Sequence, residues 1–146
     1  MAQANYKLPD MEHRFSIQIK GDESGLMWVG EFVYRRPTLV QRGQIERFRT
    51  ILDGDLVTIR SDITILHTAL AHLRFTLQEA PGWWKAADNG GALYDANVVT
   101  EVYDKCINFE ADWRKKVLGG DPKEVEEGNH NVGSEKPEQV TAGSPA

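Results

Sequence analysis

The stretch GEFVYRRPTLVQRGQIERFRTIL, residues 30–52, begins with the alternation of a strand and ends with the three-and-four spacing of a helix. Its reading decides what kind of fold the chain can have. Pro37 lacks the N–H that a central strand needs, and it drives Arg36 away from helical backbone. Thr38 and Gln41 stand three apart, as in a capping box. A strand therefore hands over to a helix at this corner. The helix is expected to run to about Leu52, burying Leu39, Ile45, Phe48, Ile51 and Leu52, with the DGD at 53–55 as its stop.

Upstream, RFSIQIK alternates, with Phe15, Ile17 and Ile19 on one side and Ser16, Gln18 and Lys20 on the other. GDESG is a turn, and LMWVGEFVY returns antiparallel to form a β-hairpin. Gly30 in the returning strand signals a bulge or a close backbone approach. Downstream, a second helix is expected from about Ile59 to Glu79, its apolar stripe formed by Ile59, Ile63, Leu66, Leu70, Leu73 and Leu77. APGW stops it. The connection PGWWKAADNGGALYD holds two adjacent tryptophans, a short helical turn around Trp84–Ala87 and a bend at Gly90 and Gly91.

Asp95 can cap a third helix, which ends at the glycine pair 119 and 120. Its buried stripe is Val99, Val102, Tyr103, Cys106, Phe109, Trp113 and Val117. On the opposite side, Glu101 with Lys105, Glu110 with Arg114 and Asp112 with Lys116 are acid-before-base pairs four apart. The fold class is thus α+β, mainly α: an N-terminal β-hairpin followed by three helices.

The domain spans residues 14–118, after a flexible N-terminus of residues 1–13. Residues 119–146 have no aromatic side chain, no leucine and no isoleucine, and cannot bury enough apolar surface to offset their ordering entropy. They are expected to form a disordered acidic C-terminal tail. Its six acids against two lysines carry −4 of the formal charge of −5, so the domain is nearly neutral. Nucleic-acid binding needs a concentrated basic surface and is disfavoured. Arg35, Arg36, Arg42, Arg47 and Arg49 lie among Glu31, Glu46 and Asp53, as on a solvated helix face. The single cysteine excludes an intrachain disulfide and fits a reducing compartment. No apolar run approaches the roughly 18 residues of a membrane span, and the N-terminus lacks the apolar centre of a signal peptide.

Motifs for chemistry are sparse. His67 and His72 are five apart, about 140° around a helix, unlike the pair of a zinc helix. Cys106 falls on an apolar stripe and reads as a small core hydrophobe rather than a nucleophile. DGD is a helix stop and not a calcium loop, and DNGG does not match a phosphate loop. The residues suggest no enzyme, cofactor or metal.

The order of GEFVYRRPTL, QIERFRTIL, ITILHTALAHLRFTL leading into APGWW, and VVTEVYDKCINFEADWRK resembles the tail assembly chaperones of long-tailed bacteriophages. In that family a strand running into a P-T-L helix start, a long helix reaching a proline and tryptophan, and a closing helix with an F-E-x-x-W-type ending recur. The resemblance covers about residues 14–118. It implies a non-enzymatic factor of the host cytoplasm that self-associates and coats the tape measure protein while tail tube protein polymerises around it. The long acidic tail ending in TAGSPA departs from a plain short form of the family. On this reading Trp83, Trp84, Met27 and Trp28 are the candidate partner contacts, with Arg35 and Arg36 available for acids on a neighbouring copy. The alternative is a virion structural protein: a head decoration, head-completion or tail-associated component using the same domain as permanent architecture.

Overall fold

A computed structural model of the chain describes residues 8–119. Strands β1 (Glu12–Lys20) and β2 (Met27–Arg35) form the expected hairpin, followed by helices α1 (Leu39–Asp53) and α2 (Ser61–Thr76). A short strand β3 (Leu77–Glu79), a single-turn helix α3 (Gly82–Ala86), the long helix α4 (Ala96–Arg114) and a π-helical turn (Lys115–Gly119) complete the order. The fold is α+β and mainly α, with one antiparallel sheet in the order β1-β2-β3. Residues 10–109 make one compact unit, and residues 8–9 and 110–119 belong to a second. The flexibility expected of the first residues and the disorder expected of the tail fall mostly outside the described residues.

Hairpin register follows from alternation. Phe15 faces Phe32, Ile17 faces Gly30 and Ile19 faces Trp28, so these side chains share the face that looks into the core. The rings of Phe15 and Phe32 stack with centroids 5.4 Å apart. On the other face Arg14 reaches Glu31 at 3.5 Å and Glu79 at 3.6 Å, exposed ion pairs that add little stability. β1 starts at Glu12, two residues earlier than the alternation from Arg14 indicated.

The corner at Pro37 is built as its residues predict. Gln41 N–H donates to Thr38 Oγ1 at 3.2 Å and Thr38 N–H donates to Gln41 Oε1 at 2.9 Å, a reciprocal capping box. Gly54 closes the helix by donating to the Thr50 carbonyl. The buried face assigned to α1 needs correction, because none of its residues is buried. Leu39 is 80% exposed and Ile51 66%, while Ile45, Phe48 and Leu52 are half-buried. At about 100° per residue, Ile45, Phe48 and Leu52 fall within about 60° of one another, whereas Leu39 lies about 120° or more from all three and Ile51 falls outside their arc, about 60° beyond Phe48.

Helix α2 is shorter than expected. It stops at Thr76, and Leu77–Glu79, taken from sequence as its last turn, instead extends the sheet against Val33 and Tyr34. A free edge of β2 offers unpaired backbone groups that this segment satisfies. The deepest positions of α2 are Ala69, Ala71, Leu73 and Thr76; Leu66 and Leu70 are half-buried against the core, and Ile59 and Ile63 are also half-buried. Ala69, Ala71 and Thr76 share with Leu73 the closest approaches, which the stripe had given to large aliphatics alone.

Helix α4 follows its stripe more closely: Val99, Val102, Cys106 and Trp113 are buried, Tyr103, Phe109 and Val117 half-buried, and Val98 joins them at the centre. Glu101 and Lys105 approach to 3.8 Å, as do Glu110 and Arg114. Glu110 was expected on the solvent side, yet it is only 4% exposed. The helix also yields to the π-turn at Lys115, before the glycine pair is reached.

Gly30 marks a close approach. A Cβ built there would lie 2.4 Å from Pro81 Cγ and 3.4 Å from the Trp83 ring, so the segment leading into α3 rests directly on the strand. Gly30→Ala is expected to destabilise the protein by about 1–3 kcal/mol through overpacking. Urea unfolding monitored by circular dichroism would measure it, and an unchanged midpoint would show that Pro81 shifts freely.

Candidate functional site

Three of the four tryptophans meet at one end of the sheet. Trp84 is 1% exposed, with the Phe32 ring edge-on at 5.4 Å, and it is a core residue. Trp83 is half-buried: its Nε1–H donates to the Val29 carbonyl at 2.9 Å, and its ring lies 4.8 Å from that of Trp28. Trp28 is half-buried too, and its Nε1–H donates to Asp95 Oδ2 at 2.8 Å. Of the aromatic candidates, the structure therefore brings Trp28, Trp83 and Trp84 into one packed cluster. Both half-buried indoles have their polar edges engaged within the chain.

Met27 and Arg35 lie on the opposite face of β2 by alternation. Met27 is exposed, as are its neighbours Leu26 and Val29. Arg35 reaches across the hairpin to Glu12 at 3.3 Å, so its acid is found within the chain. Arg36 is half-buried at the corner, where its N–H donates to the Met11 carbonyl at 3.1 Å.

Asp95 holds this end of the molecule together. Expected as the side-chain cap of α4, its carboxylate instead faces the β1–β2 loop. Oδ1 accepts from the N–H groups of Glu23 and Ser24, each at 2.7 Å, and Oδ2 accepts from the Ser24 hydroxyl at 2.6 Å as well as from Trp28. Only the backbone keeps a capping role, since the Asp95 carbonyl accepts from Val98 N–H. Asn97 completes the junction by accepting from Asp22 N–H at 3.0 Å and donating to the Lys20 carbonyl at 2.8 Å. The Ser24 hydroxyl above all, then the Ser24, Trp28 and Glu23 N–H donors, hold the Asp95 carboxyl down to about 2, below its usual 3.8.

The candidate site that sequence reasoning missed is aliphatic. Leu39, Val40, Ile51, Leu56, Val57 and Ile65 are all exposed, Val57 almost completely. They lie on α1, on the α1–α2 connection and near the start of α2. Leu39 and Ile51 had been assigned to the core. The signal was present in α1, whose apolar residues span too wide an arc to share one stripe. Scattered single exposures need no explanation, but Ile51, Leu56 and Val57 are exposed within seven residues at the end of α1 and on the connection after it, and clustered apolar exposure is what marks an interaction site.

Among the described residues, no group of three His, Cys, Asp or Glu side chains is placed to hold a metal ion, and no helix is long and apolar enough to cross a membrane. Comparison with protein-family models, with curated proteins and with solved structures finds no match.

The pH dependence of the Asp95 junction has a defined sign. Its folded-state pKa lies below the unfolded value, so the unfolded chain binds the proton first as pH falls. The stability it contributes is complete above about pH 4 and is lost progressively towards about pH 2. Asp95→Asn should lower stability at neutral pH and flatten the acid limb between those values. Urea midpoints measured across that range in both proteins would check it, and parallel acid limbs would count against the assignment.

Proposed function

We propose that this chain is a non-enzymatic tail assembly chaperone of a long-tailed bacteriophage. It works in the host cytoplasm, self-associates, and holds the tape measure protein while the tail tube assembles. The observation that carries the reading is the exposed aliphatic surface of the α1–α2 hairpin. A chaperone for a long apolar helix needs apolar surface that stays open until its client arrives, and burying one branched aliphatic side chain contributes about 1.5–3 kcal/mol. The strand, P-T-L corner and helix order that underlies the family resemblance is also the order of β2, Pro37 and α1.

The packing of the tryptophans moves the expected contact surface. Trp83 supports Trp28, Phe32 and Trp84, so its loss would disturb the core and could not report cleanly on a partner. The contact surface is assigned instead to α1 and the connection after it, with Met27 and its exposed neighbours as a second patch.

Ile51→Glu combined with Val57→Glu should leave the circular dichroism spectrum and unfolding midpoint within error of the unaltered protein. The same pair should weaken capture of the co-expressed tape measure protein at least tenfold, about 1.4 kcal/mol. Quantitative pull-down would measure it. Undiminished capture by the folded double variant would move the contact elsewhere. Absence of capture by the unaltered protein, with co-purification in mature virions, would replace the chaperone with a structural component.

A further inference from the structure

Between α2, the connection at residues 90–94 and the first turn of α4 lies a pocket of about 200 Å³ that is open to solvent on one side. The proposed chaperone surface does not include it. Its wall is branched and apolar, formed by Ile63, Leu66, Leu70, Leu93 and Val99, with the exposed Tyr94 also lining it. An apolar cavity of about 150 Å³ is enough to take benzene, so one ring with a substituent fits here.

The one ionisable imidazole in that wall is His67. Its Nδ1 lies 2.7 Å from Asp53 Oδ1, and Asp53 Oδ2 accepts from Arg49 Nη1 at 2.9 Å; Arg49 also pairs with Glu46. An ionised carboxylate only accepts, so the proton of a neutral imidazole sits on Nδ1 and Nε2 carries a lone pair. Nε2 has no partner among the described residues. In the neutral ring this fixes the tautomer: Asp53, itself held by Arg49, takes the Nδ1 proton and leaves Nε2 as the acceptor of a side chain that lines the pocket.

We infer that the cavity binds a phenol, with the ring filling the apolar space and the hydroxyl donating to His67 Nε2. Carboxylates offer no donor to that nitrogen. An ammonium group would have to shed its water against aliphatic walls without reaching a free carboxylate, because both Asp53 oxygens are engaged. Phenols, with a pKa near 10, are stronger donors than aliphatic alcohols and also match the cavity in size. Such a group could come from a free phenolic compound or from a tyrosine side chain of a partner.

Titrating the full chain with p-cresol and with toluene, followed by backbone amide NMR shifts, tests the inference. Shifts should concentrate at residues 63–70 and 90–99, and p-cresol should bind at least threefold more tightly than toluene. The His67 Nε2 nitrogen shift in the unaltered protein should move with p-cresol and stay in place with toluene. His67→Leu should abolish the preference while keeping toluene binding, and Ala96→Leu, which fills the cavity from α4, should weaken both ligands at least tenfold. N-acetyltyrosinamide separates the two sources: binding like p-cresol assigns the site to a presented tyrosine, and binding of p-cresol alone assigns it to a free phenol. Equal affinities for p-cresol and toluene, or undiminished binding to Ala96→Leu, would overturn the inference. None of these readouts involves the tape measure protein, so their failure leaves the chaperone reading to its own test.

Discussion

A single carboxylate joins the hairpin to the start of the last long helix. Asp95 is 1% exposed, and a buried charge of this kind persists only where its lone pairs are satisfied. Its partners come from the loop between β1 and β2 and from Trp28 on β2, separated by up to 72 residues of chain. The loop has to curl tightly to present two successive N–H groups and a hydroxyl to one acceptor. Gly21 is part of the cost, because a Cβ there would fall 2.1 Å from Asp95 Oδ2. With Asn97 bonded to Lys20 and Asp22, on either side of Gly21, the hairpin is docked on the start of α4 before any apolar contact is counted. That docking sets the hairpin face carrying Phe15, Ile17 and Phe32 in the same core cluster as Val98, Val99 and Val102.

The same carboxylate orders the aromatic end of the core. Its bond to Trp28 fixes the indole whose ring meets Trp83, while Trp83 in turn bonds Val29 and packs edge-on to Trp84. Gly30 lets Pro81 rest on the strand between them. Two large rings in consecutive positions therefore have different roles. Trp84 fills the centre, and Trp83 roofs it with its polar edge tied to the sheet. Neither role requires a partner, which is why adjacent tryptophans on a connection are weak evidence for a binding surface.

Local chemistry was legible in the sequence where neighbours in the chain decide the outcome. The hairpin register follows from alternation, the capping box from Thr38 and Gln41, and the α4 stripe from helical spacing. What was not legible depends on distant pairing. Leu77–Glu79 has the composition to extend a helix, and only the open edge of β2 turns it into a strand. Asp95 stands where a cap belongs, and only the arrival of the loop around Ser24 redirects its side chain. For the candidate surface the failure was one of counting: five of the six apolar residues of α1 were given to a core that has room for one narrow face.

That miscount bears on how α1 is held. With no buried residue, the helix gains little from the core and depends on links along its inner edge. Gln41 Nε2 donates to the Phe75 carbonyl at 3.0 Å, the Arg74 guanidinium lies 4.3 Å above the Phe48 ring, and Asp53 meets His67. These contacts bind α1 to α2 by polar and aromatic edges, while the capping box satisfies its first turn. Elements with few buried apolar contacts lie at the low end of the local stability range. A helix anchored in this way can keep branched aliphatic side chains in water without losing its place, because its position does not rely on burying them.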